Sequence, residues 1–481
     1  MLTVELTREN FEYDMNALLK SFYPSEEVKM KGIEAEEGLF RVRVLRNGEI
    51  LSELTMSDDY DRNKSEFKNE VRRSLYKKLV AINGHSLPWG ILNGIRPTKL
   101  VMHELIRGKT DKEAKAFMEN TYLASGEKAE LAVKIANNER AVIERSMGRE
   151  GWSLYIGIPF CPTTCMYCSF TSYAISRWKK RVGEYLEALF REIDAAAEIM
   201  HGQNPDTIYI GGGTPTSLEA EELELLFSKL EEIFDMNSLL EFTVEAGRAD
   251  SISEEKLRVL KKHGVTRISV NPQTMNDKTL ELIGRRHTVV QVENAFLMAR
   301  DLGFDNINMD IILGLPGEND EEVTRTLERI EKLKPDNLTV HSLASKRASK
   351  LAKMIDEMGY ERLHNTDSTM RIASASAKRM GMHPYYLYRQ KNMSGNFENT
   401  GYAIPGKEGI YNILIMEEIQ SIIAAGAGTV SKRVVSDGTI NGKINGKINR
   451  TIKRCDTAKD VDLYIRNIDE MILRKKRLFG N

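Results

Sequence analysis

Hydrophobic and polar positions follow two different patterns along this chain of 481 residues, and the change comes near residue 150. Before it, polar and apolar residues alternate in LFRVRVLRNGEILSEL at 39–54, with Asn47-Gly48 at the centre, which predicts a β-hairpin. Apolar residues recur at helical spacing over 68–82 and 126–147, which predicts two helices. Between them, PWGILNGIRPTKL at 88–100 contains two Pro and two Gly and is predicted to be a loop.

From residue 153 onward, short apolar or alternating runs are each followed by a helical pattern. The runs predicted to be strands are 154–159, 207–210, 240–246, 265–271, 306–313 and 337–343. The clearest helical patterns cover 182–200, 254–264 and 320–333. Repeated strand–helix alternation with right-handed crossovers favours a parallel sheet that curves into a barrel or partial barrel. In such folds the active site lies at the carboxyl ends of the strands.

The pattern becomes irregular beyond about residue 376. INGKINGKINR at 440–450 is hairpin-like, and a charged helix is predicted over 460–479. We therefore expect an α/β protein in three parts. These are an N-terminal α+β domain at 1–150, a partial (β/α)6 barrel at 151–375, and a C-terminal α+β extension at 376–481 that covers the barrel mouth.

Composition narrows the possible functions. Apolar residues make up 41% and charged residues 29% of the chain, as in ordinary globular proteins. The net charge of −1 gives no support to a role on nucleic acid or on a membrane surface. No segment approaches the ~18 apolar residues of a membrane span, and the N-terminus does not resemble a signal peptide. We expect a cytoplasmic protein, whose four cysteines would bind metal or take part in catalysis rather than form disulfides.

Three of those cysteines lie together in PFCPTTCMYCSF at 159–170, directly after the first predicted strand. Cys161, Cys165 and Cys168 form a CxxxCxxC motif, which lacks the fourth ligand of a structural zinc site; Cys455 lies far away in the chain. Thiolates suit iron–sulfur clusters. Three of them would bind three irons of a 4Fe–4S cluster and leave the fourth iron open for a substrate or cosubstrate. A set of buried small apolar residues would not explain this spacing.

Further polar residues fall at the ends of the other predicted strands. Gly-Gly-Gly-Thr-Pro-Thr at 211–216 follows the second strand, and Glu245 ends the third. Gln273 follows the fourth strand, and Asp310 lies within the fifth. Because these positions share one edge of a parallel sheet with the cysteines, they are candidate site residues.

The CxxxCxxC motif after the first barrel strand resembles the radical S-adenosylmethionine (SAM) superfamily. In that superfamily SAM chelates the open iron, and the reduced cluster cleaves it to a 5′-deoxyadenosyl radical. The ordered motifs YIGIPFCPTTCMYCSF, IYIGGGTPTSL, RISVNPQTMNDKTLELIGRRHT and MDIILGLPGE resemble the oxygen-independent coproporphyrinogen oxidase group, which includes HemN-type enzymes and HemW haem chaperones. PWGILNGIRPTK and the segment 388–412 resemble the HemZ branch of that group. HemN-type enzymes carry another cysteine two residues after the third ligand, whereas this chain has Phe170, as in the HemW and HemZ pattern.

The resemblance implies roles for individual residues. The residues implied to contact SAM are Tyr155, Tyr167, Gly212, Gly213, Thr214, Glu245, Gln273, Arg285, Asp310 and Ala344, the last four around a second SAM molecule. A substrate with several propionates would need cations near the barrel mouth. The candidates for this are Arg96, Lys99, Lys346, Arg347, Arg389 and Lys391.

The activity implied by the resemblance is radical SAM decarboxylation of two coproporphyrinogen III propionates to vinyl groups, giving protoporphyrinogen IX. The implied cofactors are a 4Fe–4S cluster and one or two molecules of SAM. The implied partner is an electron donor such as flavodoxin or ferredoxin, and no nucleic acid is expected. Two alternatives stay open: a haem-binding chaperone of the HemW type, and a radical SAM enzyme that acts on haem itself.

Overall fold

The computed structural model describes residues 1–34, 36–93, 96–146, 151–168, 170–344, 363–390, 393–436, 443–444, 447–448 and 450–480. Within these ranges the chain forms two compact units. The first contains residues 1–136 and 387–398, and the second contains 137–344, 363–386 and 399–480. None of the described helices combines the length and the apolar character that crossing a bilayer would require.

The first unit packs helices against a small mixed sheet with strand order β2-β1-β3-β4. Its strands are β1 (Leu2–Leu6), β2 (Val28–Gly32), β3 (Leu39–Arg46) and β4 (Glu49–Ser57). Its helices are α1 (Glu12–Phe22), α2 (Lys64–Asn83), α3 (Pro97–Ile106), α4 (Asp111–Tyr122) and the start of α5 (Gly126–Ser146). The core is aromatic: the Phe11 ring lies 4.6 Å from that of Phe40 and 5.9 Å from that of Phe67.

The prediction of a hairpin is confirmed, whereas the prediction of a loop is wrong in part. Asn47 and Gly48 connect β3 to β4 with φ angles of 53° and 92°, the left-handed values that a two-residue hairpin turn requires. The predicted loop at 88–100 ends early, because α3 begins at Pro97. A proline suits the first turn of a helix, where its missing N–H costs nothing, so this proline starts a helix instead of marking a loop.

The second unit is built on an eleven-stranded sheet with the order β13-β14-β12-β11-β10-β9-β8-β5-β15-β16-β19. The strands up to β12 are β5 (Trp152–Ile158), β6 (Phe160–Cys161), β7 (Tyr173–Ala174), β8 (Thr207–Gly212), β9 (Glu241–Gly247), β10 (Arg267–Val270), β11 (Ile307–Leu313) and β12 (Asn337–Ser342). The later strands are β13 (His383–Tyr388), β14 (Asn399–Ala403), β15 (Ser421–Ala425), β16 (Val430–Ser436), β17 (Lys443–Ile444), β18 (Lys447–Ile448) and β19 (Arg450–Asp456).

Helices separate the parallel strands and cover the sheet. Between β7 and β12 these are α6 (Val182–Ile199), α7 (Ala220–Ile233), α8 (Glu254–Lys262), α9 (Asp277–Leu282), α10 (Val289–Asp301) and α11 (Asp320–Leu333). Later in the chain follow α12 (Asp367–Arg379), α13 (Ile410–Glu417), α14 (Val461–Arg466) and α15 (Ile468–Phe479). Most residues of β5, β9 and β11 are buried, as expected for parallel strands covered on both faces.

The prediction of an α/β partial barrel is confirmed. Strands β5, β8, β9, β10, β11 and β12 pair in parallel, and each contains most of one run predicted from the sequence. In the described part of the chain the sheet stays open, with β13 and β19 as its outer strands. The carboxyl ends of the six parallel strands therefore meet at one edge, where the candidate residues lie.

Residues after 376 contribute strands to both edges of this sheet. β14 pairs antiparallel with β12, and β15 pairs parallel with β5. The predicted helix over 460–479 is two helices, because the backbone of Asn467 leaves the helical region between α14 and α15. In the hairpin-like repeat, β17 and β18 pair antiparallel. The division into three domains and the covering of the barrel mouth stay predictions.

Candidate functional site

The three motif cysteines follow β5 at the carboxyl edge of the sheet. Cys161 is buried at the end of β6, whereas Cys165 and Cys168 are partly exposed, and all three are free thiols. Thr214 Oγ1 donates a hydrogen bond to Cys161 Sγ at 3.4 Å, and Cys168 Sγ lies 3.8 Å from Ser172 Oγ. Burial raises the pKa of the Cys161 thiol to about 11, despite this hydrogen bond. A bound metal ion would instead favour the thiolate at Cys161.

The donor set fits an iron–sulfur cluster better than a single metal ion. Among the described residues, no three His, Cys, Asp or Glu side chains converge as ligands of one ion. A 4Fe–4S cluster does not need such convergence, because each thiolate binds a different iron. Polar groups donate to two of the three sulfurs, those of Cys161 and Cys165, as is typical of sulfurs that bind a metal.

An arginine missed in the sequence analysis contacts the middle cysteine. Arg248 Nη1 donates to Cys165 Sγ at 3.5 Å and to the Thr163 carbonyl at 3.0 Å. The same guanidinium pairs with both oxygens of Asp250, and Asp250 Oδ1 lies 3.5 Å from His287 Nδ1. Arg248 lies 83 positions from Cys165 in the chain. One feature of the sequence could have identified Arg248: it comes just after the third barrel strand, and the other candidate site residues also lie at strand ends.

A glycine turn ends β8 and packs directly on the cysteine strand. Gly213 N donates to the Ile158 carbonyl at 2.8 Å, and Thr214 N donates to the Phe160 carbonyl at 2.7 Å. A Cβ atom on Gly213 would lie 2.6 Å from the Phe160 oxygen, and Gly212 has a φ of +105°. Only glycine permits both the close approach and the left-handed backbone. The turn thus fixes the strand that carries the first cysteine.

Three tyrosine rings and a glutamate form a second cluster in the barrel. The rings of Tyr209 and Tyr411 stack with centroids 4.6 Å apart, and Tyr155 stacks on Tyr209 at 5.9 Å. The Tyr209 hydroxyl donates to Glu245 Oε1 at 2.6 Å. Burial raises the pKa of Glu245 to about 7; the negative charge of Asp310 adds to this, and the Tyr209 hydrogen bond opposes it. Tyr209 and Tyr411 were not predicted, since a tyrosine in a strand or short helix is equally typical of a core.

Gln273 and Asp310 come together through the backbone. Gln273 N donates to the Asp310 carbonyl, and the Gln273 carbonyl accepts from Ile312 N, both at 2.9 Å. Gln273 has a φ of 68°, which is unfavourable for a residue other than glycine, and its buried Oε1 has no hydrogen-bond partner among the described residues. Asn308 Nδ2 donates to Asp310 Oδ1 at 2.6 Å. Burial raises the pKa of Asp310, but hydrogen bonds led by that of His341 outweigh it and lower the pKa overall.

Arg285 lies against the cysteine loop. Its Nε donates to the Tyr167 hydroxyl at 3.2 Å, and its Nη1 donates to the Asn271 carbonyl. Cys165 also acts electrostatically on this guanidinium, so Arg285 is close to the thiol. The structure thus joins two residues that the resemblance implied as separate contacts.

The remaining predicted site residues do not form one cluster among the described residues. Ala344 is half-buried just after β12. Arg96 precedes α3 and Lys99 is exposed on that helix. Lys346, Arg347 and Lys391 lie outside the described residues.

Arg389 is buried within the first unit. Its guanidinium donates to the carbonyl oxygens of Leu92 and Asn396 and lies 5.6 Å from the centre of the Trp89 ring. Only 6% of the residue is exposed. Within that unit, the guanidinium of Arg389 connects the segment at Leu92 to the segment at Asn396 and does not face an open surface.

Comparisons with known proteins place these features in context. Residues 155–330 match the family model described as the Radical SAM superfamily. The chain is 44% identical over 374 residues to the oxygen-independent coproporphyrinogen-III oxidase-like protein HemZ of Bacillus subtilis (strain 168), covering 77% of this chain and 75% of that protein. It is 43% identical over 195 residues to the heme chaperone HemW of the same organism, covering 40% of this chain and 50% of that one.

A more distant relative is the oxygen-independent coproporphyrinogen III oxidase of Escherichia coli (strain K12), with 32% identity over 192 residues, covering 40% of this chain and 42% of that protein. The solved structure of coproporphyrinogen III oxidase (HemN) from Escherichia coli matches 70% of this chain and 73% of its own, with a TM-score of 0.53 and 22% identity. This structural likeness supports the shared fold.

Proposed function

Since the chain belongs to the family of radical SAM proteins that contains HemZ, we propose that it decarboxylates two propionates of coproporphyrinogen III to vinyl groups and so forms protoporphyrinogen IX. The observation that carries this proposal is the 44% identity to HemZ across three-quarters of both chains. A radical SAM domain implies a 4Fe–4S cluster and SAM as cofactors. We also propose an electron donor such as flavodoxin or ferredoxin.

The chain's own residues would hold and orient these groups. Cys161, Cys165 and Cys168 would bind the cluster, with Thr214 and Arg248 donating to two of the sulfurs. When bound, the cluster and SAM supply a 5′-deoxyadenosyl radical that abstracts hydrogen. We propose that the partial barrel keeps water away from such a radical and so prevents side reactions.

Glu245 and Gln273 would position SAM molecules. Glu245, held by the Tyr209 hydroxyl, offers a carboxylate to ribose hydroxyls. The amide oxygen of Gln273, which has no hydrogen-bond partner among the described residues, and the carboxylate of Asp310 support a second SAM molecule beside the first. Each propionate would lose one hydrogen atom from its β-carbon, then carbon dioxide and one electron to a one-electron acceptor, which leaves a vinyl group.

The test is anaerobic turnover of the reconstituted protein with SAM, a reductant and coproporphyrinogen III. We expect mass spectrometry to show that each substrate molecule loses the mass of two carbon dioxide molecules and four hydrogen atoms. The Cys165→Ala variant is the control and should form no product. Cleavage of SAM without any vinyl product would contradict the assignment of the substrate.

A second candidate function is haem binding without decarboxylation. It is favoured by the 43% identity to the heme chaperone HemW in the matched region. Tight stoichiometric haem binding, together with no turnover of coproporphyrinogen III, would support it. A chemical change of haem after anaerobic incubation with SAM, detected by mass spectrometry, would instead support an enzyme that acts on haem.

A further inference from the structure

A buried positive charge lies against the middle thiol of the cysteine motif. The Arg248 side chain is only 3% exposed. Its Nη1 donates to Cys165 Sγ at 3.5 Å and to the Thr163 carbonyl oxygen at 3.0 Å. One terminal nitrogen therefore binds both the cysteine loop and the sulfur that the loop presents.

The opposite side of this guanidinium is fixed by a carboxylate. Arg248 Nε and Nη2 donate to Asp250 Oδ1 and Oδ2 at 2.9 and 2.6 Å. Such two-point pairing fixes the plane of the guanidinium as well as its distance. The fully buried His287 lies 3.5 Å from the same carboxylate. The position of the charge at Cys165 is thus set by protein groups on both sides and not by solvent.

We propose that Arg248 raises the reduction potential of the iron–sulfur cluster bound by Cys165, and that Asp250 and His287 are positioning residues for its guanidinium. Reduction adds one negative charge to the cluster, so a nearby cation stabilises the reduced form more than the oxidised form. Hydrogen bonds to coordinating sulfurs act in the same direction, and burial strengthens both effects. The inference rests on the cluster assigned under the proposed function, but not on coproporphyrinogen III as the substrate.

The consequence concerns electron delivery. A cluster must accept one electron from an external donor before SAM can be cleaved. A cation fixed 3.5 Å from a ligand sulfur makes that transfer more favourable for a given donor. Arg285 adds a second cation near Cys165, although its Nε and Nη1 donate to Tyr167 and Asn271. The distance from Arg248 Nη1 to Cys165 Sγ is 3.5 Å, and both buried cations act on this sulfur.

The experiment compares the full-length protein with Arg248→Gln and Arg248→Lys, each reconstituted anaerobically and titrated without SAM or substrate. Midpoint potentials are measured by redox titration monitored by electron paramagnetic resonance. For Arg248→Gln, we expect reduction to be about tenfold less favourable, a potential about 59 mV lower for a one-electron couple. Arg248→Lys keeps the charge but cannot reach Asp250 and Cys165 together. Its midpoint potential should therefore lie between that of the unmodified protein and that of Arg248→Gln.

Arg258→Gln is the matched control. Arg258 lies on α8, pairs with Glu254 and is 64% exposed. Its replacement removes the same charge at a solvated position and should leave the potential unchanged. Iron content and circular dichroism establish that each variant is folded and loaded.

The role of His287 is tested by a double-variant cycle. We expect His287→Phe to lower the potential, because Asp250 then loses a buried neighbour that helps to hold it against Arg248. This shift should disappear in the Arg248→Gln background. A shift of equal size in both backgrounds would show that His287 does not act through Arg248.

An unchanged potential in loaded Arg248→Gln would overturn the proposal. If that variant does not hold a cluster, Arg248→Met takes its place because it also removes the charge, and an unchanged potential in loaded Arg248→Met would overturn the proposal. Since the titration contains no substrate, a failed turnover assay with coproporphyrinogen III leaves the result for Arg248 unaffected.

Discussion

At the scale of single residues, Glu245 gives the site a dependence on pH. It accepts from the Tyr209 hydroxyl and lies near the charges of Asp310 and Arg267. Burial raises its pKa from 4.5 to about 7. Because the pKa in the folded state exceeds that in the unfolded state, the protonated carboxyl favours folding. This contribution is complete below about pH 4.5 and is lost as the pH rises through about 7.

Glu245→Gln mimics the protonated carboxyl at every pH. We therefore expect the stability of the cluster-free protein, relative to that of Glu245→Gln, to fall by up to about 3 kcal/mol between pH 4.5 and 7.5. The free energy of unfolding in urea at several pH values measures this difference. Glu187→Gln on the exposed side of α6 is the control. A difference between the protein and Glu245→Gln that does not change with pH would contradict the prediction.

Gly213 shows how little space separates the glycine turn from the cysteine strand. In Gly213→Ala, the new Cβ would lie 2.6 Å from the Phe160 carbonyl oxygen, so the backbone before Cys161 must shift. We expect the variant to lose about 1–3 kcal/mol of stability and to bind less iron.

Gly183→Ala is the matched control for this substitution. No heavy atom of the described residues, apart from the neighbours along the chain and the helix backbone, lies within 4 Å of a Cβ there, and the residue lies in α6. Alanine favours a helix over glycine by about 0.5–1 kcal/mol, so Gly183→Ala should be neutral or stabilising. Thermal denaturation and iron content compare the two variants. Equal behaviour would show that the contact at Gly213 does not constrain the loop.

At the scale of elements, α15 attaches to α6 through a buried ion pair. Lys475 contacts Glu192, and their side chains are 1% and 0% exposed. Glu192 also accepts from the Tyr464 hydroxyl at 2.5 Å and from Gly426 N at 2.7 Å. The turn that starts at Gly426 follows β15, the strand that pairs in parallel with β5. The last helix is therefore tied to the barrel strand that precedes the cysteine loop.

Lys475→Met should destabilise the protein by about 3–5 kcal/mol, because it leaves a buried carboxylate without its cation. Lys476→Met removes a surface partner of Glu198 and should cost less than about 1 kcal/mol. The double variant Glu192→Gln with Lys475→Met should be less unstable than Lys475→Met, since the amide oxygen still accepts from Tyr464 and Gly426. Urea denaturation measures all three. Equal costs for the two lysine variants would contradict a structural role for the buried pair.

The elements were predictable where a local pattern determines them. The six parallel strands are short apolar or alternating runs, and each ends at a glycine, a polar residue or a turn within about one or two residues of its predicted end. The error at Pro97 arose because proline ends helices and also begins them, and only the later apolar spacing separates the two cases. The break at Asn467 has no such signal, since the charged pattern runs through it.

At the scale of the whole molecule, the predictable part of the site is the part that is local in sequence. The CxxxCxxC spacing alone indicated a cluster, and the glycine turn followed from its place after a strand. By contrast, Arg248 and Tyr411 reach the site through contacts between distant segments. Buried polar groups such as Asp250 and His287 become meaningful only when the fold shows which charge they position.

The sheet order also determines which cysteines can act together. Cys455 lies in β19, separated from β5 by β15 and β16. At about 4.8 Å between neighbouring strands, β19 lies roughly 14 Å from β5. Burial raises the pKa of the Cys455 thiol, which favours its protonated form. Cys455 therefore lies apart from the three motif cysteines, and we predict that it does not bind the cluster.

Two alanine variants test this separation. Cys165→Ala should lose most of its iron and its visible absorbance, because a buried arginine would face an empty ligand position in the loop. Cys455→Ala should bind as much iron as the unmodified protein and should cleave SAM at a similar rate, since its thiol packs within the outer strand pair of the sheet. Iron analysis, absorbance spectra and anaerobic SAM cleavage measure both. Full iron in Cys165→Ala, or loss of iron in Cys455→Ala, would contradict a cluster bound by the three motif cysteines alone.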